Sequence, residues 1–542
     1  MDDFPFDVDD IDNEKPSNVK TLQRKSERPS GIALDSLEGL LESYSSSDIR
    51  SARRSASLLA NPVHQSYPST PIRQVTKGVA EVGLGGATKT PVVQVPTTSM
   101  VVNQTIPNTP TTLQFESRIN KNEIITEHIG SCSKKKMIND SDNSVDIQLP
   151  SSNASSLYMF QTVLERASVL NKQIEKFEDL YMTTLNIDPD KPFVLYSVGH
   201  PESDEVSVVG RICCDSVGQL NEHSIILEGS YHRSTCNRVR VDVSSLDSYS
   251  FFPGQIVLIS GIYTNDGLFH AKQIIEPTLP PIAPTLTIKN DFTLMVAAGP
   301  FLLANGDFSA LNELLSRANI DRPTVLILLG PFVDERSSYV QKLTDKTYDE
   351  IFHSIINEIK RTCLNVVLIP SVRDIHHDSV YPCYPFQTID QNSKIMYAPE
   401  PCLLSINGLQ CAITSTDVLF HLCSEEISSN PVNSDRMSRL TKHLLQQRLF
   451  YPLCPPHESI SIEYGYAMDY ASIPFMPHIL ITTSDLKQFI KFVDSVCVIN
   501  TGRLIKSEKI VGGSYSKIFV SKTDSQRSFS SNDHLHVQIL RL

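Results

Sequence analysis

Residues 325–334 run VLILLGPFVD, and this stretch decides the fold of the C-terminal half of the chain. Five consecutive apolar residues predict a strand that is buried on both faces, as in a parallel sheet. The Gly330-Pro331 pair ends that strand, because proline cannot continue a sheet ladder. Alternation of such strands with helices is typical of a layered α/β domain, which we predict over 281–542. The other predicted elements are strands at 294–298, 366–369, 410–414, 478–481, 496–499, 515–520 and 535–540, helices at 310–318 and 348–363, and a helix capped by Ser434.

A smaller all-β domain is predicted over 191–280. Residues 265–267, Asn-Asp-Gly, are a strong hairpin signal. The run 238–243 alternates valines with charged residues, as a strand with one buried face does. Several short strands within this length are typical of the oligonucleotide/oligosaccharide-binding (OB) barrel. The predicted strands lie at 206–213, 224–227, 238–243, 255–261 and 268–275.

The N-terminal range 1–150 predicts a largely disordered tail. It is rich in Ser, Thr, Pro and Asn and poor in aromatic residues, so it cannot bury enough apolar area to offset chain entropy. Within it, 32–44 carries leucines at helical spacing. This pattern fits a helix that docks on a partner, and it fits a transient helix without a role equally well.

A lead-in helix is predicted within 151–190. Its apolar stripe runs over 156–181 and includes Leu157, Phe160 and Val163. We expect this stripe to pack on the domain that follows.

Three threonines in the tail precede proline and are candidate phosphorylation sites: Thr70, Thr90 and Thr109. A hydroxyl before proline in an open segment suits proline-directed kinases. Phosphate there would add negative charge near the basic runs at 20–28 and 50–54. Chance occurrence is the alternative, since each dipeptide is common.

Charge and composition favour a protein partner. The net charge is −13, and phosphate backbones repel such a chain unless a basic stripe overrides it. We find no run of about 18 apolar residues, which a membrane helix would need, and no basic segment leading into an apolar core at the N-terminus, so neither a membrane partner nor secretion is expected. The 11 cysteines show no C-x-x-C pair, so free thiols are expected rather than a zinc site.

The segments after the first three α/β strands resemble those of the calcineurin-like metallophosphoesterases. In that family, Asp, His and Asn side chains at these strand ends hold two metal ions that activate a water. Here alanine and proline supply no donor atom, and arginine carries a fixed positive charge. We therefore expect an inactive phosphodiesterase domain without metal or other cofactor, and we expect the surviving carboxylates to be structural, in an Arg–Asp pair or in hydrogen bonds that tie loops. The degenerate former metal-site positions are Ala298, Pro300, Pro331, Asp334, Arg373 and Asp374.

Longer strings in the same domain resemble the B subunits of replicative DNA polymerases. The strings are long and occur in order, and the resemblance covers roughly 190–542. Two of them, at 425–428 and 434–436, favour the alpha type of this family. The matching strings include AGPF at 298–301, LGPFVD at 329–334, PSVRDIHH at 370–377, EEIS at 425–428 and SDR at 434–436.

This resemblance implies a non-catalytic scaffold in which an OB domain packs on an inactive phosphodiesterase domain. Members bind the C-terminal region of the DNA polymerase alpha catalytic subunit and, through it, the small and large primase subunits. The complex makes primers at the initiation of replication in the nucleus, and the B subunit touches DNA at most weakly or indirectly. Members usually begin with a small helical domain, whereas 1–60 here predicts at most one short helix. Either this lineage has lost that domain or the gene model is truncated.

Two alternatives of other classes are an active phosphoesterase and a single-stranded nucleic-acid-binding protein. The ligand substitutions argue against the first. The acidic balance and a sparse aromatic and basic set argue against the second, because single-strand binding needs stacking platforms beside cations. That set comprises Tyr231, Arg233, Arg238, Arg240 and Tyr263.

Overall fold

The structure is a computed structural model of the chain. In it, the predicted OB domain, the predicted α/β domain and the lead-in helix all belong to one structural unit. The candidate phosphorylation sites Thr70, Thr90 and Thr109 and the helical pattern at 32–44 lie outside the described residues. The structure describes residues 118, 120–131, 145–149, 158–186, 192–200, 204–216, 218–264, 266–284, 287–387, 394–432, 435–506, 512–523 and 529–542.

The elements follow in chain order. The strands are β1 (Ile124–Ile129), β2 (Ile147–Gln148), β3 (Val206–Cys214), β4 (Ile225–Glu228), β5 (Arg238–Asp242), β6 (Tyr249–Phe251), β7 (Ile256–Tyr263), β8 (Leu268–Ile275), β9 (Phe292–Ala298), β10 (Val325–Leu329), β11 (Val366–Ile369), β12 (Ile395–Tyr397), β13 (Cys402–Ile406), β14 (Leu409–Ile413), β15 (Ile427–Ser429), β16 (Ile479–Thr482), β17 (Phe489–Val493), β18 (Val496–Asn500), β19 (Ser514–Val520) and β20 (Leu535–Arg541). The helices are α1 (Val163–Leu185), α2 (Tyr231–Ser234), α3 (Ser309–Asp321), α4 (Ser338–Gln341), α5 (Tyr348–Lys360), α6 (Val418–Glu425), α7 (Arg436–Gln447), α8 (Tyr464–Tyr470) and α9 (Ser531–His534).

The smaller domain is a closed barrel in the order β3-β4-β5-β8-β7, which confirms the predicted OB topology. Alternation along β5 buries Val239 and Val241 in the barrel core, while Arg238 and Arg240 face outward. Strands β5 and β8 pair in parallel and thereby close the barrel.

The larger domain stacks two sheets between two helical layers. A seven-stranded sheet has the order β1-β20-β19-β9-β10-β11-β12, and a six-stranded sheet has the order β17-β18-β16-β14-β13-β2. One apolar core fills the space between the sheets. A second core joins the first sheet to α3 and α5, and a third joins the other sheet to α6, α7 and α8. The predicted layered α/β domain is therefore confirmed.

Two short strands lie within the range 1–150, which the sequence predicts to be largely disordered. Strand β1 pairs antiparallel with β20, and β2 pairs antiparallel with β13, so both belong to the α/β sheets. The composition of the surrounding chain hid them, because each is short and only one face of β1 packs on the core between the sheets, through Ile125.

Helix α1 begins later than predicted and buries less of its stripe. A capping box fixes its start, with Glu165 N–H donating to the Thr162 hydroxyl and the Thr162 N–H donating to the Glu165 carboxylate. Its C-terminal half packs on the barrel as expected, through Ile174 and Tyr181. Phe160 and Val163, in contrast, lie exposed at its start, which corrects the prediction that they face inward.

The N-terminal cap of helix α7 differs from the prediction by one residue. Its N-cap residue is Asp435, whereas the predicted cap Ser434 lies outside the described residues.

A buried polar cluster joins the barrel to the α/β domain. Strand β15 pairs with β6, which places Glu426 beside Ser250 of the barrel. The Glu426 carboxylate accepts hydrogen bonds from Arg439 Nε at 2.6 Å and Ser250 Oγ at 2.6 Å. Burial raises the pKa of Glu426, but bonds from His443, Arg439 and Ser250 outweigh it and leave this pKa well below its usual range. The Gln447 amide also accepts from Ile256 N–H at 2.8 Å and donates to its carbonyl at 3.0 Å.

Among the described residues, no helix is long and apolar enough to cross a membrane.

Candidate functional site

The carboxyl ends of six parallel strands meet along one edge of the α/β domain. We call this region the strand-end junction, and it brings together the six positions that the sequence predicts to be degenerate former metal-site positions. Gly299 N–H donates to the Leu329 carbonyl, and Gly330 N–H donates to the Ile369 carbonyl, both at 2.8 Å. Ser415 Oγ reaches across to the Pro370 carbonyl at 2.7 Å and so connects the two sheets. The junction comprises residues 298–301, 330–334, 370–377, 414–417, 482–485 and 500–503.

Asp374 lies fully buried at the centre of the junction. Its carboxylate accepts three backbone hydrogen bonds, from Phe332 N–H at 2.5 Å, Val333 N–H at 2.9 Å and Ser371 N–H at 2.9 Å. Burial raises the pKa of Asp374 to about 7, although these donors act in the opposite direction. The side chain thus ties the loop after β10 to the loop after β11, and both of its oxygens are engaged.

Arg373 pairs with Asp334 and not with its neighbour in sequence. Its Nε donates to Asp334 Oδ1 at 3.1 Å, and its Nη2 bonds the other oxygen. Both side chains are largely buried, and a planar guanidinium suits such a two-point contact with a carboxylate. The pair places a cation and a carboxylate in direct contact at two of the predicted former metal-site positions.

The alanine and proline positions are closed by tight backbone packing. A Cβ added to Gly299 would lie 1.9 Å from the Pro331 carbonyl oxygen, which shows how closely the two loops approach. Leu504 N–H donates to the Ala298 carbonyl at 2.7 Å. A peptide group therefore lies next to the carboxyl end of β9. Pro300 and Pro331 each follow a cis peptide bond.

Glu400 adjoins the junction through its bonds to residues 414–416, and sequence reasoning did not single it out as a site residue. It is fully buried and accepts from the Thr414 hydroxyl at 2.6 Å, Ser415 N–H at 2.7 Å and Thr416 N–H at 3.0 Å. Burial raises the pKa of Glu400 to about 7 against these donors. A signal was present in the sequence, because a lone glutamate precedes one apolar run and three hydroxyl residues follow the next.

Three further polar residues form hydrogen bonds between loops at the strand ends of the six-stranded sheet. Asp417 caps α6 by accepting from Phe420 N–H at 3.1 Å, and it also accepts from Asp485 N–H at 2.7 Å. Arg503 Nε donates to Asp485 Oδ1 at 3.0 Å. Asn500 accepts from Ser484 N–H at 2.9 Å, so the loops after β16 and β18 are joined.

His376 and His377 lie beside aromatic rings rather than beside carboxylates. The His376 ring stacks on Phe352 at 4.1 Å between centroids and on Phe386 at 5.2 Å. Burial lowers the pKa of His376 to about 3, so the ring is neutral at physiological pH. His377 meets Phe386 edge-on, and burial also lowers its pKa.

The side chains at the junction do not fit a two-metal centre. Carboxylates that would ligate a cation instead accept backbone N–H groups or an arginine, and a fixed guanidinium repels a divalent ion. Within the described part of the chain, no group of three or more His, Cys, Asp or Glu side chains could hold a metal ion. The arrangement can hold six loops in a fixed geometry.

Four of the five residues considered for nucleic-acid contact are engaged within the protein, and the fifth, Tyr231, is partly exposed. Arg238 Nε donates to Glu228 at 3.0 Å, and Arg240 Nη2 donates to the His223 carbonyl at 2.9 Å. Arg233 donates to the Leu195 carbonyl at 3.0 Å. The buried Tyr263 accepts from Gly199 N–H at 2.8 Å, so its ring is unavailable for base stacking.

A closed barrel docked on a two-sheet α/β domain defines a protein that pairs an OB-type barrel with a layered α/β domain. Two family models match these regions. One represents the B subunits of DNA polymerases alpha and epsilon and matches residues 294–491. The other represents the OB domain of the DNA polymerase alpha B subunit and matches residues 167–277.

B subunits of DNA polymerase alpha from animals and fungi are similar to this chain. The Rattus norvegicus protein is 36% identical over 386 residues, which cover 68% of this chain and 63% of the rat protein. The Schizosaccharomyces pombe protein is 30% identical over 417 residues, which cover 71% of each chain. The chain belongs to the family of DNA polymerase alpha B subunits. It spans 63% and 65% of the lengths of the rat and mouse relatives that it matches.

Solved structures give a weaker likeness. A novel archaeal phosphodiesterase aligns with a TM-score of 0.22 and 10% identity over 44% of this chain and 99% of that structure. A Vacuolar Protein Sorting 29 structure from Cryptosporidium parvum aligns with a TM-score of 0.23 and 9% identity over 47% of this chain and 99% of that structure. Scores at this level support no conclusion about the chain.

Proposed function

We propose that this chain is a non-catalytic accessory subunit of a DNA polymerase alpha–primase complex. In this role it binds the C-terminal region of the polymerase catalytic subunit and, through it, the two primase subunits. The complex acts in the nucleus and makes primers at the initiation of replication. Membership in the family of DNA polymerase alpha B subunits is the observation that carries this proposal.

The docking of the two domains supports a scaffold role. The Glu426 cluster and the paired strands β6 and β15 fix the barrel against the α/β domain. Glu426 gains its bond from Ser250, and Gln447 bonds to Ile256, only when both domains are in place, so the two domains present one composite surface to a partner.

The strand-end junction supports the absence of phosphoesterase activity. Asp374 within the junction and Glu400 beside it are fully buried carboxylates, and each accepts three hydrogen bonds from the chain itself. Ala298 and Pro331 offer no side-chain donor to a metal. A hydrolytic role would need ligands that these positions do not provide.

Affinity purification of the tagged chain from its own cells, followed by mass spectrometry, tests the proposal. We expect near-equal recovery of a large polymerase catalytic subunit and both primase subunits. Recovery of polymerase delta or epsilon subunits would show that the chain belongs to a different polymerase complex. Recovery of the chain alone would contradict the proposed role.

A further inference from the structure

Exposed apolar side chains are concentrated at the start of α1. Phe160 is 75% exposed, Val163 69%, Met159 56% and Leu164 38%. Isolated exposed apolar residues are normal on protein surfaces, whereas a contiguous group marks an interaction site. We call these four residues the α1 entry patch.

The backbone beneath the patch is fixed to the α/β domain. The Tyr158 hydroxyl donates to the Pro382 carbonyl at 2.9 Å and accepts from Tyr384 N–H at 2.9 Å. Met159 N–H donates to Glu463 at 2.6 Å, and the Arg166 guanidinium lies 4.5 Å from the centre of the Tyr464 ring. The apolar side chains are therefore held outward on a rigid support.

Aromatic rings extend the patch. The Tyr158 ring lies 4.4 Å from Tyr384 and 6.1 Å from Tyr466, between centroids, and Tyr466 lies 6.2 Å from Tyr470. All four tyrosines are partly exposed, and two of them belong to α8. Tyrosine, phenylalanine and methionine are residue types that protein interfaces enrich.

The charged residues around the patch indicate which kind of partner binds there. Glu165, Asp469 and Asp378 are exposed. Glu165 follows the patch directly in sequence, and Asp469 belongs to α8, which packs against α1. Burial is the main cause that raises the pKa of Tyr158, and Cys383, Tyr384 and Asp378 raise it further. Arg166 is the cation beside them. Two copies of this acidic rim would repel each other, so a second copy of the chain is a poor occupant.

We infer that the α1 entry patch is the docking site for an apolar segment flanked by lysine or arginine residues, supplied by the polymerase catalytic subunit. This inference rests on the proposed function. Apolar side chains of that segment cover Phe160 and Val163, and its flanking cations meet Glu165 and Asp469. Burial of exposed aromatic and aliphatic side chains supplies the affinity, and the charges supply specificity and rate of association.

Binding of the full-length chain to the purified catalytic subunit tests the inference. The double variant Phe160→Asp/Val163→Asp removes the apolar contact at positions that are exposed, so its folding is expected to match the wild type by thermal unfolding. We expect its affinity to fall at least about tenfold. The matched control Ile320→Asp/Val432→Asp changes two other exposed apolar residues, 72% and 95% exposed, and is expected to bind like the wild type. Asp469→Lys is expected to weaken binding a few-fold, with a smaller dependence on salt.

The possible outcomes distinguish an error in the inferred docking site from an error in the proposed function. If the wild type binds the catalytic subunit and the patch variant binds equally well, the inferred site is wrong and the proposed function stands. If the wild type does not bind, both fail. If the patch variant loses a concentration-dependent dimer of this chain instead, the patch is a contact between copies, and the inference is overturned.

Discussion

Asp374 shows how a residue type that serves catalysis in one protein can serve structure in another. A carboxylate near a strand end ligates metal when its oxygens are free, but here three peptide N–H groups occupy them. Glu400 repeats the arrangement on the second sheet. Both residues are fully buried, so removing either leaves donors that water cannot reach.

Substituting Asp374 tests its structural role. Asp374→Ala leaves three buried N–H groups without an acceptor, and we expect the free energy of unfolding to fall by about 3 kcal/mol or more. Urea unfolding followed by circular dichroism measures the change. Asp345→Ala, at an exposed aspartate, serves as the control and is expected to change little. Equal stability of the two variants would contradict the loop-tying role.

The raised pKa of Glu400 leads us to expect that the stability of the protein depends on pH. The pKa of Glu400 is about 7 in the folded protein, against an ordinary value of 4.5. The folded state therefore holds the proton more tightly, and this stabilising contribution is present at low pH and is lost as pH rises through 7. Between pH 5 and 8 we expect the unfolding free energy of the wild type to fall relative to Glu400→Gln by about 2–3 kcal/mol. Parallel pH profiles for the two proteins would contradict the raised pKa.

The sequence predicts some of the residues and contacts of the strand-end junction. The six predicted former metal-site positions lie together there, and the bonds of Asp334 and Asp374 agree with the expected structural use of the carboxylates. The partner of Arg373 is not anticipated, because Asp334 comes from another strand end, and sequence proximity favours Asp374 instead. Glu400 is missed because a buried acid that is satisfied by peptide groups has no fixed sequence spacing to its donors.

At the scale of elements, β1 shows what compositional reasoning misses. The strand lies far from the α/β domain in sequence, yet its pairing with β20 extends the seven-stranded sheet. Strands such as β10 and β11, in contrast, agree with the predicted bounds residue for residue, because continuous apolar runs identify buried parallel strands. An edge strand with one apolar face has a weaker signal.

Two isoleucines of β1 test whether this strand contributes to the fold. Ile125 packs against the core between the sheets, whereas Ile129 is 49% exposed. We expect Ile125→Ala to lower the unfolding free energy by about 1–2 kcal/mol and Ile129→Ala by less than about 0.5 kcal/mol. Chemical unfolding of the full chain measures both. Equal effects of the two substitutions would argue that β1 does not pack as described.

At the scale of the whole molecule, the two domains share buried polar groups rather than a flexible contact. Glu426, Arg439 and Ser250 come from both sides of this interface. Sequence patterns predict each domain separately, but they do not predict this cluster, since its members are recognisable only when strands β6 and β15 are paired.

An assay of phosphodiesterase activity tests the inactive domain directly. With manganese and a chromogenic diester, we expect the purified chain to give no turnover above buffer, because the junction lacks a ligand set. Turnover that Asp374→Asn abolishes, in a variant shown to remain folded, would contradict a purely structural junction.

Reconstitution with the polymerase catalytic subunit tests the central claim most directly. The full chain is co-expressed with the C-terminal region of that subunit, and the mass of the purified species is measured by light scattering. The proposed scaffold role predicts a stable complex with one copy of each chain that survives gel filtration. Separate elution of the two chains at micromolar concentration would contradict it.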